Sequence, residues 1–170
     1  DLLNQYTYKG IDFSNSIIID CITAIDGSEN ESYEIIYEGF RKLVEYIRTE
    51  GVNFTYIYMS TMATIFPELV ANSHYARAKF KAEQYLKSTG VNYKIIRLIF
   101  PFGDGERENR LMTRLIKKLA QNEDVKIDDL ILNLTPIQTL VKNFLQLVHG
   151  DQKEINFSDG GRYSLIEIFE

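Results

Sequence analysis

The sequence predicts an α/β fold in which a parallel sheet carries helices on both faces. Short runs of β-branched and aromatic residues alternate with longer stretches whose apolar residues recur at helical spacing. Glycines stand where several of those stretches end, as they do at helix C-termini. Strands that alternate with helices form βαβ units with right-handed crossovers. At 170 residues the chain is long enough for one compact domain, predicted over 1–170.

The first hundred residues contain the clearest strand and helix patterns. The predicted elements are, in order, a strand at 16–20, a helix at 33–50, a strand at 53–60, a helix from Asn72 or Ser73 to about Ser88, and a strand at 91–100. The first strand, SIIID, is a continuous β-branched run, which predicts burial on both of its faces. Gly51 and Gly90 follow the two helices and are expected to end them.

The remaining residues continue the alternation less regularly. The predicted elements are a helix from about Glu108 to Gln121, a helix capped by Thr135 with Pro136 first and ended by Gly150, a strand at 154–159, and the start of a helix at 164–170. The stretch DVKIDDLILNL between the two helices is ambiguous and fits two short strands. The whole order is typical of one half of a Rossmann-like fold.

Composition argues against several classes of function. The net charge is -5 and the pI about 5.2, with no basic stripe, which disfavours nucleic-acid binding. No apolar run approaches the roughly 20 residues of a membrane helix. Cys21 is the only cysteine, so an intramolecular disulfide is excluded and a reducing, cytoplasmic setting is favoured. Two isolated histidines, His74 and His149, predict no metal site.

Tyr75 and Lys79 are the strongest candidates for chemistry. They stand one helical turn apart on a helix that follows the second strand, and ligands of parallel sheets bind beyond the carboxyl ends of strands. A nearby ammonium favours the phenolate and draws a tyrosine down from its ordinary pKa of about 10. A chain this rich in both residues contains such a pair by chance with odds of about one half. Its place between a hydroxyl-ended strand and a glycine loop gives it more weight.

The order of several weak motifs resembles one family. GVNFTYIYMST, YARAKFKAEQYLKSTGVNYKIIRLIFPFG, NLTPIQTLVKNFLQLV and INFSDGGRYSLIEI follow one another over nearly the whole chain. They resemble the extended short-chain dehydrogenase/reductase family, specifically its NAD-dependent nucleotide-sugar epimerases and dehydratases. The matching positions are Ser60 and Thr61, Tyr75 and Lys79, Arg97, Phe102 and Gly103, and Tyr163 to Ile168.

The resemblance also implies that the sheet is incomplete at both ends. DLLN at the start is similar to a family stretch that follows the third strand, so a glycine-rich pyrophosphate loop is expected upstream of this sequence. The family also continues for some tens of residues beyond position 170. The chain is therefore expected to be the central part of a longer protein. The resemblance implies NAD or NADP as cofactor, contacted by Asp1, Leu2, Ser60, Tyr75, Lys79 and Phe100.

The implied function is an NAD(P)-dependent epimerase, dehydratase or reductase that acts on a nucleotide-sugar. Tyr75 would move the proton, Lys79 would hold Tyr75 ionised, and the Thr61 hydroxyl would bind the reacting oxygen. One alignment instead places Met62, which cannot donate a hydrogen bond, at the hydroxyl position. Arg97 fits either a substrate diphosphate or a carboxylate partner. Arg107 fits either a sugar-nucleotide phosphate or a solvated helix face.

An alternative is a non-catalytic relative that keeps the fold to bind a dinucleotide or a partner. Met62 and the short loop between Phe66 and Tyr75 favour it, because the family has a longer substrate-contacting segment there. Under either alternative the resemblance implies a homodimer, formed by the helices at 33–50 and 73–88. The expected partners are a nucleotide-sugar or other small molecule, with no nucleic acid and no membrane.

Overall fold

The computed structural model describes residues 2–24, 27–128 and 130–169. The strands are, in chain order, β1 (Ser16–Asp20), β2 (Phe54–Thr61), β3 (Asn92–Leu98), β4 (Pro101–Phe102), β5 (Ile131–Leu132), β6 (Thr135–Pro136), β7 (Glu154–Phe157) and β8 (Tyr163–Ser164). The strands β1, β2, β3 and β7 form one parallel sheet in the order β1-β2-β3-β7, so the predicted α/β class is confirmed. Separately, β4 pairs with β6 in parallel and β5 pairs with β8 antiparallel.

The helices connect these strands as the βαβ pattern predicts. They are α1 (Glu29–Ser32), α2 (Phe40–Thr49), α3 (Pro67–Asn72), α4 (His74–Ser88), α5 (Leu111–Ala120), α6 (Ile137–His149) and α7 (Leu165–Phe169). A π-helical segment, Tyr33–Gly39, joins α1 to α2, and short 3₁₀ turns lie at Gln5–Thr7 and Met62–Ile65. None of the helices in the described ranges is long and apolar enough to cross a membrane.

The chain divides into two compact units. The first comprises Asp1–Arg97 and Gly150–Asn156, and the second comprises Leu98–His149 and Phe157–Glu170. The sequence-based assignment of one domain over 1–170 stays a prediction. The first unit contains most of the parallel sheet together with α1 to α4, and therefore carries the Tyr75 and Lys79 pair.

The core of the first unit lies between the sheet and the helices α2 and α4. Phe40 of α2 is 1% exposed and packs between two strand tyrosines, its ring centroid 5.3 Å from that of Tyr56 and 5.1 Å from that of Tyr58. Leu86 of α4 and Ile95 of β3 are fully buried in the same cluster. Burial of each such side chain contributes about 1.5–3 kcal/mol, so this cluster fixes α4 against the sheet.

The expectation that β1 is buried on both faces is wrong. Ile17 and Ile19 are each 49% exposed, whereas Ile18 between them packs against the core. The strand lies at one edge of its sheet, with Ile18 opposite Tyr56 of β2. Within the described residues nothing covers the face that carries Ile17 and Ile19. A β-branched run therefore predicted the strand correctly but not its environment.

Two helical segments were missed in predicted loops. The helix expected from Tyr33 begins at Glu29, because Ser28 forms a capping box: its hydroxyl accepts from the Glu31 amide, and the Glu31 carboxylate accepts from the Ser28 amide. The loop after β2 contains α3, whose first residue is Pro67. Proline suits that position because it has no backbone N–H, and the N–H of a first helical residue has no partner within the helix. Both signals were present in the sequence.

Thr135 does not cap α6 as predicted. Its side chain is fully buried, and its hydroxyl donates to the carbonyl oxygens of Ile99 and Phe157. Thr135 and Pro136 form β6 beside β4, and α6 begins only at Ile137. Because Thr135 pairs within a sheet, its hydroxyl bonds to carbonyls of neighbouring segments and not to the first amides of α6. The helix ends at His149, before Gly150 as predicted.

Candidate active site

Lys79 lies at the centre of the candidate site. Ser73 caps α4 by accepting a hydrogen bond from the Ala76 amide at 3.2 Å. Tyr75 and Lys79 are four residues apart on this helix and therefore share one face. Lys79 is 2% exposed. A cation that is so deeply buried needs partners that replace water.

The Lys79 ammonium is held by the carboxyl ends of two neighbouring strands. Its Nζ donates to the Ile22 carbonyl, just after β1, at 2.9 Å and to the Met59 carbonyl of β2 at 2.8 Å. It also lies 4.5 Å from the ring centroid of Tyr58, within the range of a cation–π interaction. The lysine therefore ties the loop after β1 to the end of β2.

Burial lowers the pKa of Lys79 to about 8, although Asp20, Cys21 and Glu83 act in the opposite direction. Desolvation disfavours the charged form, and the nearby negative charges restore part of the loss. A lysine with this pKa still carries its charge in most molecules at pH 7. The site thus contains a buried cation that changes its charge close to physiological pH.

Asp20 is a buried acid that acts on Lys79. It is 4% exposed, and its carboxylate accepts from the Tyr56 hydroxyl at 2.8 Å and from the Ile22 amide at 2.9 Å. Burial, together with this carboxylate, raises the pKa of Tyr56 well above its ordinary value. Tyr56 therefore stays a hydrogen-bond donor. Sequence reasoning did not single out Asp20, although an acid at the end of a β-branched run was a visible signal.

Two of the three hydroxyls near the end of β2 donate to one carboxylate, and the third does not. Ser60 is buried and donates to Glu83 at 2.6 Å, and Thr64 donates to the same carboxylate at 2.8 Å. Thr61 instead accepts from the Ala63 amide at 3.3 Å and caps the 3₁₀ turn that begins with Met62. Because that bond uses an acceptor, Thr61 keeps its O–H as a donor, whereas Ser60 is engaged with Glu83.

Arg97 lies in a buried ion pair. It is 6% exposed; its Nη2 lies 2.5 Å from Glu83 and 2.7 Å from Glu154, and its Nε donates to Thr64 at 3.1 Å. Although burial alone would lower it, the hydrogen bonds to the two carboxylates raise the pKa of Arg97. Of the two alternatives left by the sequence, the structure shows the carboxylate pair. A substrate contact by Arg97 stays a prediction.

The other predicted site residues lie elsewhere. Asp1 is outside the described residues. Leu2 packs against the core beside Gly39, where an added Cβ would come within 2.9 Å of the leucine Cβ. Phe100 has a φ of 42° and lies 6.0 Å from the guanidinium of Arg110, and Arg107 is exposed. The cofactor and substrate roles of these residues stay predictions.

Two residues beside the candidate pair were missed from the sequence. Glu83 lies one turn after Lys79 on α4, and its carboxylate accepts hydrogen bonds from Ser60, Thr64 and Arg97. Tyr58 stands two residues before Ser60 and so points to the same face of β2. The i,i+4 spacing of Glu83 from Lys79 was a usable signal, whereas the cation–π contact depends on tertiary packing.

Comparison with known proteins gives one family. The sequence model described as "NAD dependent epimerase/dehydratase family" matches residues 17–135. No curated protein matches the sequence significantly.

Solved structures match the fold over almost the whole chain. RMD from Pseudomonas aeruginosa, complexed with NADPH, has a TM-score of 0.77 and 18% identity, and 99% of this chain matches 68% of that one. The dTDP-glucose 4,6-dehydratase from Bacillus anthracis, in complex with NAD, has a TM-score of 0.79 and 14% identity, and 99% of this chain matches 60% of that one.

A third match binds a nucleotide-sugar. The UDP-N-acetylglucosamine 4-epimerase from Methanobrevibacter ruminantium, in complex with UDP-N-acetylmuramic acid, has a TM-score of 0.77 and 19% identity, with 99% of this chain matching 61% of that one. The chain thus spans between 60% and 68% of the length of these three structures. At such identities the likeness establishes a shared fold.

Proposed function

The chain belongs to the NAD dependent epimerase/dehydratase family, and from that premise we propose that it takes part in an NAD(P)-dependent epimerase, dehydratase or reductase reaction on a nucleotide-sugar. The observation that carries the proposal is the buried Lys79 ammonium, held by the Ile22 and Met59 carbonyls one turn after Tyr75. The proposal is also supported by the ligands of structures that share the fold, which include NADPH, NAD and UDP-N-acetylmuramic acid.

The donor set at the ends of β1 and β2 fits a nicotinamide dinucleotide. The two carbonyls account for two of the three N–H donors of Lys79, and Tyr75 and Thr61 add hydroxyls. An ammonium and hydroxyl donors suit the hydroxyl-rich ribose of such a cofactor. Lys79, Tyr75 and Thr61 would hold it here, at the crevice where open parallel sheets bind nucleotides. When bound, this group supplies the hydride acceptor.

The residues of this chain would perform the proton chemistry. Tyr75 takes the proton from a sugar hydroxyl and returns it later in the reaction. Lys79 favours the ionised phenol by its charge, and its rigid attachment to the strand ends keeps that charge in place. Thr61 donates to the reacting oxygen. Proton transfer by a positioned side chain is worth roughly 10²- to 10⁴-fold in rate.

A second candidate is a non-catalytic relative that binds a dinucleotide or a partner without turnover. The observation that favours it is the engagement of Ser60 and Thr64 by Glu83, with Met62 as the next side chain after Thr61. If Thr61 does not reach the substrate, no other hydroxyl among these three replaces it. Turnover therefore decides between the two candidates.

The deciding experiment combines cofactor binding with a turnover assay. The purified protein is titrated with NADH and NADPH by calorimetry, then incubated with NAD and UDP-glucose, UDP-glucuronic acid or dTDP-glucose while proton NMR follows the sugar. We expect Tyr75→Phe to lower kcat by about 10²- to 10⁴-fold with cofactor affinity nearly unchanged. Tyr85→Phe is the matched control, because Tyr85 is on the same helix and its hydroxyl donates to Glu45 at 3.2 Å.

The outcomes separate the hypotheses. Full turnover by Tyr75→Phe would show that the catalytic assignment is wrong. Saturable cofactor binding without turnover on any of the sugars would favour the non-catalytic relative.

A homodimer and a cytoplasmic location complete the proposal. Exposed aromatic rings of Tyr33 and Phe80 on the two helical segments that the resemblance assigns to the interface support dimerisation. Light scattering at micromolar concentration should give twice the chain mass, and a monomer would count against it.

A further inference from the structure

Asp20 is a buried carboxylate to which the proposed reaction gives no role. It ends β1, opposite Tyr58 of the neighbouring strand, and is 4% exposed. Both of its oxygens accept a hydrogen bond, one from the Tyr56 hydroxyl and one from the Ile22 amide. An uncharged side chain could fill the same space without the cost of burying a charge. The charge of Asp20 therefore favours a functional explanation.

Asp20 shapes the turn that presents the Ile22 carbonyl to Lys79. Its Oδ1 accepts from the Ile22 amide at 2.9 Å, and this bond to the second residue along the chain is that of an Asx turn. The Ile22 carbonyl accepts from the Lys79 ammonium, also at 2.9 Å. The amide and the carbonyl of one residue are thus both held, the first by the carboxylate and the second by the ammonium. Movement of the Asp20 carboxylate would move the carbonyl that holds Lys79.

The core of the first unit fixes the carboxylate itself. Its Oδ2 accepts from the Tyr56 hydroxyl at 2.8 Å, and Tyr56 is fully buried in β2 with its ring centroid 5.3 Å from that of Phe40. A continuous chain of contacts therefore leads from the core through Tyr56, Asp20 and Ile22 to Lys79.

Asp20 also supplies the negative charge that acts most strongly on Lys79 among the described groups. The titratable groups around Lys79 come from the end of β1, from β2 and from α4, and they are Asp20, Cys21, Tyr58, Tyr75 and Glu83. Glu83 is already paired with Arg97. Desolvation and the charge of Asp20 raise the pKa of the Cys21 thiol, which stays neutral. Burial raises the pKa of the Tyr58 phenol, which also stays neutral.

We propose that Asp20 is a positioning residue for the proposed reaction: through the Ile22 turn it holds the Lys79 ammonium, and by its charge it keeps that ammonium protonated beside Tyr75. The role rests on the proposed function, in which Lys79 favours the ionised phenol of Tyr75. Asp20 acts through Lys79 and takes no part in proton transfer. Without its charge the pKa of Lys79 would fall below about 8, and more molecules would lose the cation near pH 7.

The first test measures the protonation of Lys79 without any turnover. The intact protein is labelled with carbon-13 at the lysine ε-carbons, and the NMR signal that disappears in Lys79→Met is followed from about pH 6 to about pH 10. Asp20→Asn keeps the shape of the side chain and removes its charge, so Lys79 should bind its proton at least about 3-fold more weakly. Asp12→Asn is the matched control and should leave Lys79 unchanged, because Asp12 accepts from the Ser14 amide at 2.8 Å in the same kind of turn but is exposed.

A second variant separates the position of the carboxylate from its charge. Tyr56→Phe removes one donor and keeps the Asp20 carboxylate, so the proton affinity of Lys79 should stay within about 2-fold of the wild type. The carboxylate loses its anchor to the core, and kcat should fall about 3- to 10-fold. In Asp20→Asn the alkaline limb of kcat against pH should move to lower pH, because Lys79 loses its proton earlier. Circular dichroism checks that each variant is folded.

The outcomes distinguish the positioning role from the proposed function. An unchanged titration of Lys79 in Asp20→Asn, equal losses of proton affinity in Asp20→Asn and Tyr56→Phe, or a wild-type kcat in Tyr56→Phe would each overturn the role of Asp20, even where the wild-type protein turns over a nucleotide-sugar. No turnover by the wild-type protein would overturn the proposed function, while the titration would still support the hold of Asp20 on Lys79.

Discussion

Removal of one partner from the buried Arg97 and Glu83 pair should destabilise the first unit strongly. The Glu83 side chain is 1% exposed and that of Arg97 is 7% exposed, so neither charge can turn to water. Breaking a buried pair from one side typically costs about 3–5 kcal/mol. We expect Glu83→Met to lower the free energy of unfolding by about 3 kcal/mol, because Arg97 keeps its pair with Glu154. Arg97→Met should lower it by nearer to about 5 kcal/mol.

The double variant makes this prediction specific. Glu83→Met with Arg97→Met leaves no uncompensated charge in the pair, and only the hydroxyls of Ser60 and Thr64 lose an acceptor. It should therefore be more stable than either single variant, with a coupling energy of at least about 2 kcal/mol.

Urea denaturation followed by circular dichroism measures these differences. Arg41→Met is the matched control, because Arg41 pairs with Glu38 and Glu45 while 32% of its side chain is exposed, and it should cost less than about 1 kcal/mol. Additivity of the two single variants to within about 0.5 kcal/mol would refute the reasoning.

Two further predictions concern Lys79 and Ser28. Burial holds the folded pKa of Lys79 at about 8, below its ordinary 10.5, so the unfolded chain binds more protons between these values and stability rises with pH there. Urea denaturation should show that the wild type gains about 2 kcal/mol relative to Lys79→Met between pH 7 and 9.5. A difference between the two proteins that stays constant with pH would contradict this. Ser28→Ala removes the hydroxyl that accepts from the Glu31 amide and should lower the free energy of unfolding by about 1 kcal/mol in the same assay. Ser88 donates to a carbonyl within its own helix, so the control variant Ser88→Ala should cost less than about 0.5 kcal/mol. Equal losses would argue against the capping box.

The elements that could be predicted from the sequence are those set by neighbours along the chain. The boundaries of α4 follow from Ser73, whose side chain caps the helix, and from Gly90, whose φ of 74° suits the turn after it. Helical spacing alone then places Tyr75 and Lys79 on one face. The placement of both residues on α4 therefore has a local physical cause.

Features that depend on distant residues could not be predicted. The exposure of Ile17 and Ile19 depends on which strand lies at the sheet edge, and the pairing of Thr135 with the Ile99 and Phe157 carbonyls depends on a fold over some tens of residues. The carbonyls that hold Lys79 also lie far from it along the chain, in the loop after β1 and in β2. Composition can suggest an ammonium in the site, but tertiary packing decides its partners.

The π-helical segment Tyr33–Gly39 makes the anchoring of α3 sensitive to chain length. One residue turns an α-helix by about 100°, so deleting a residue between positions 33 and 39 would rotate everything before it around the helix axis. Glu29 precedes the segment and would turn away from Arg77, the residue that also holds the Ala71 carbonyl. The rotational phase of one helix, set by a count of residues and not by their identities, thus governs how firmly α3 is anchored to α4.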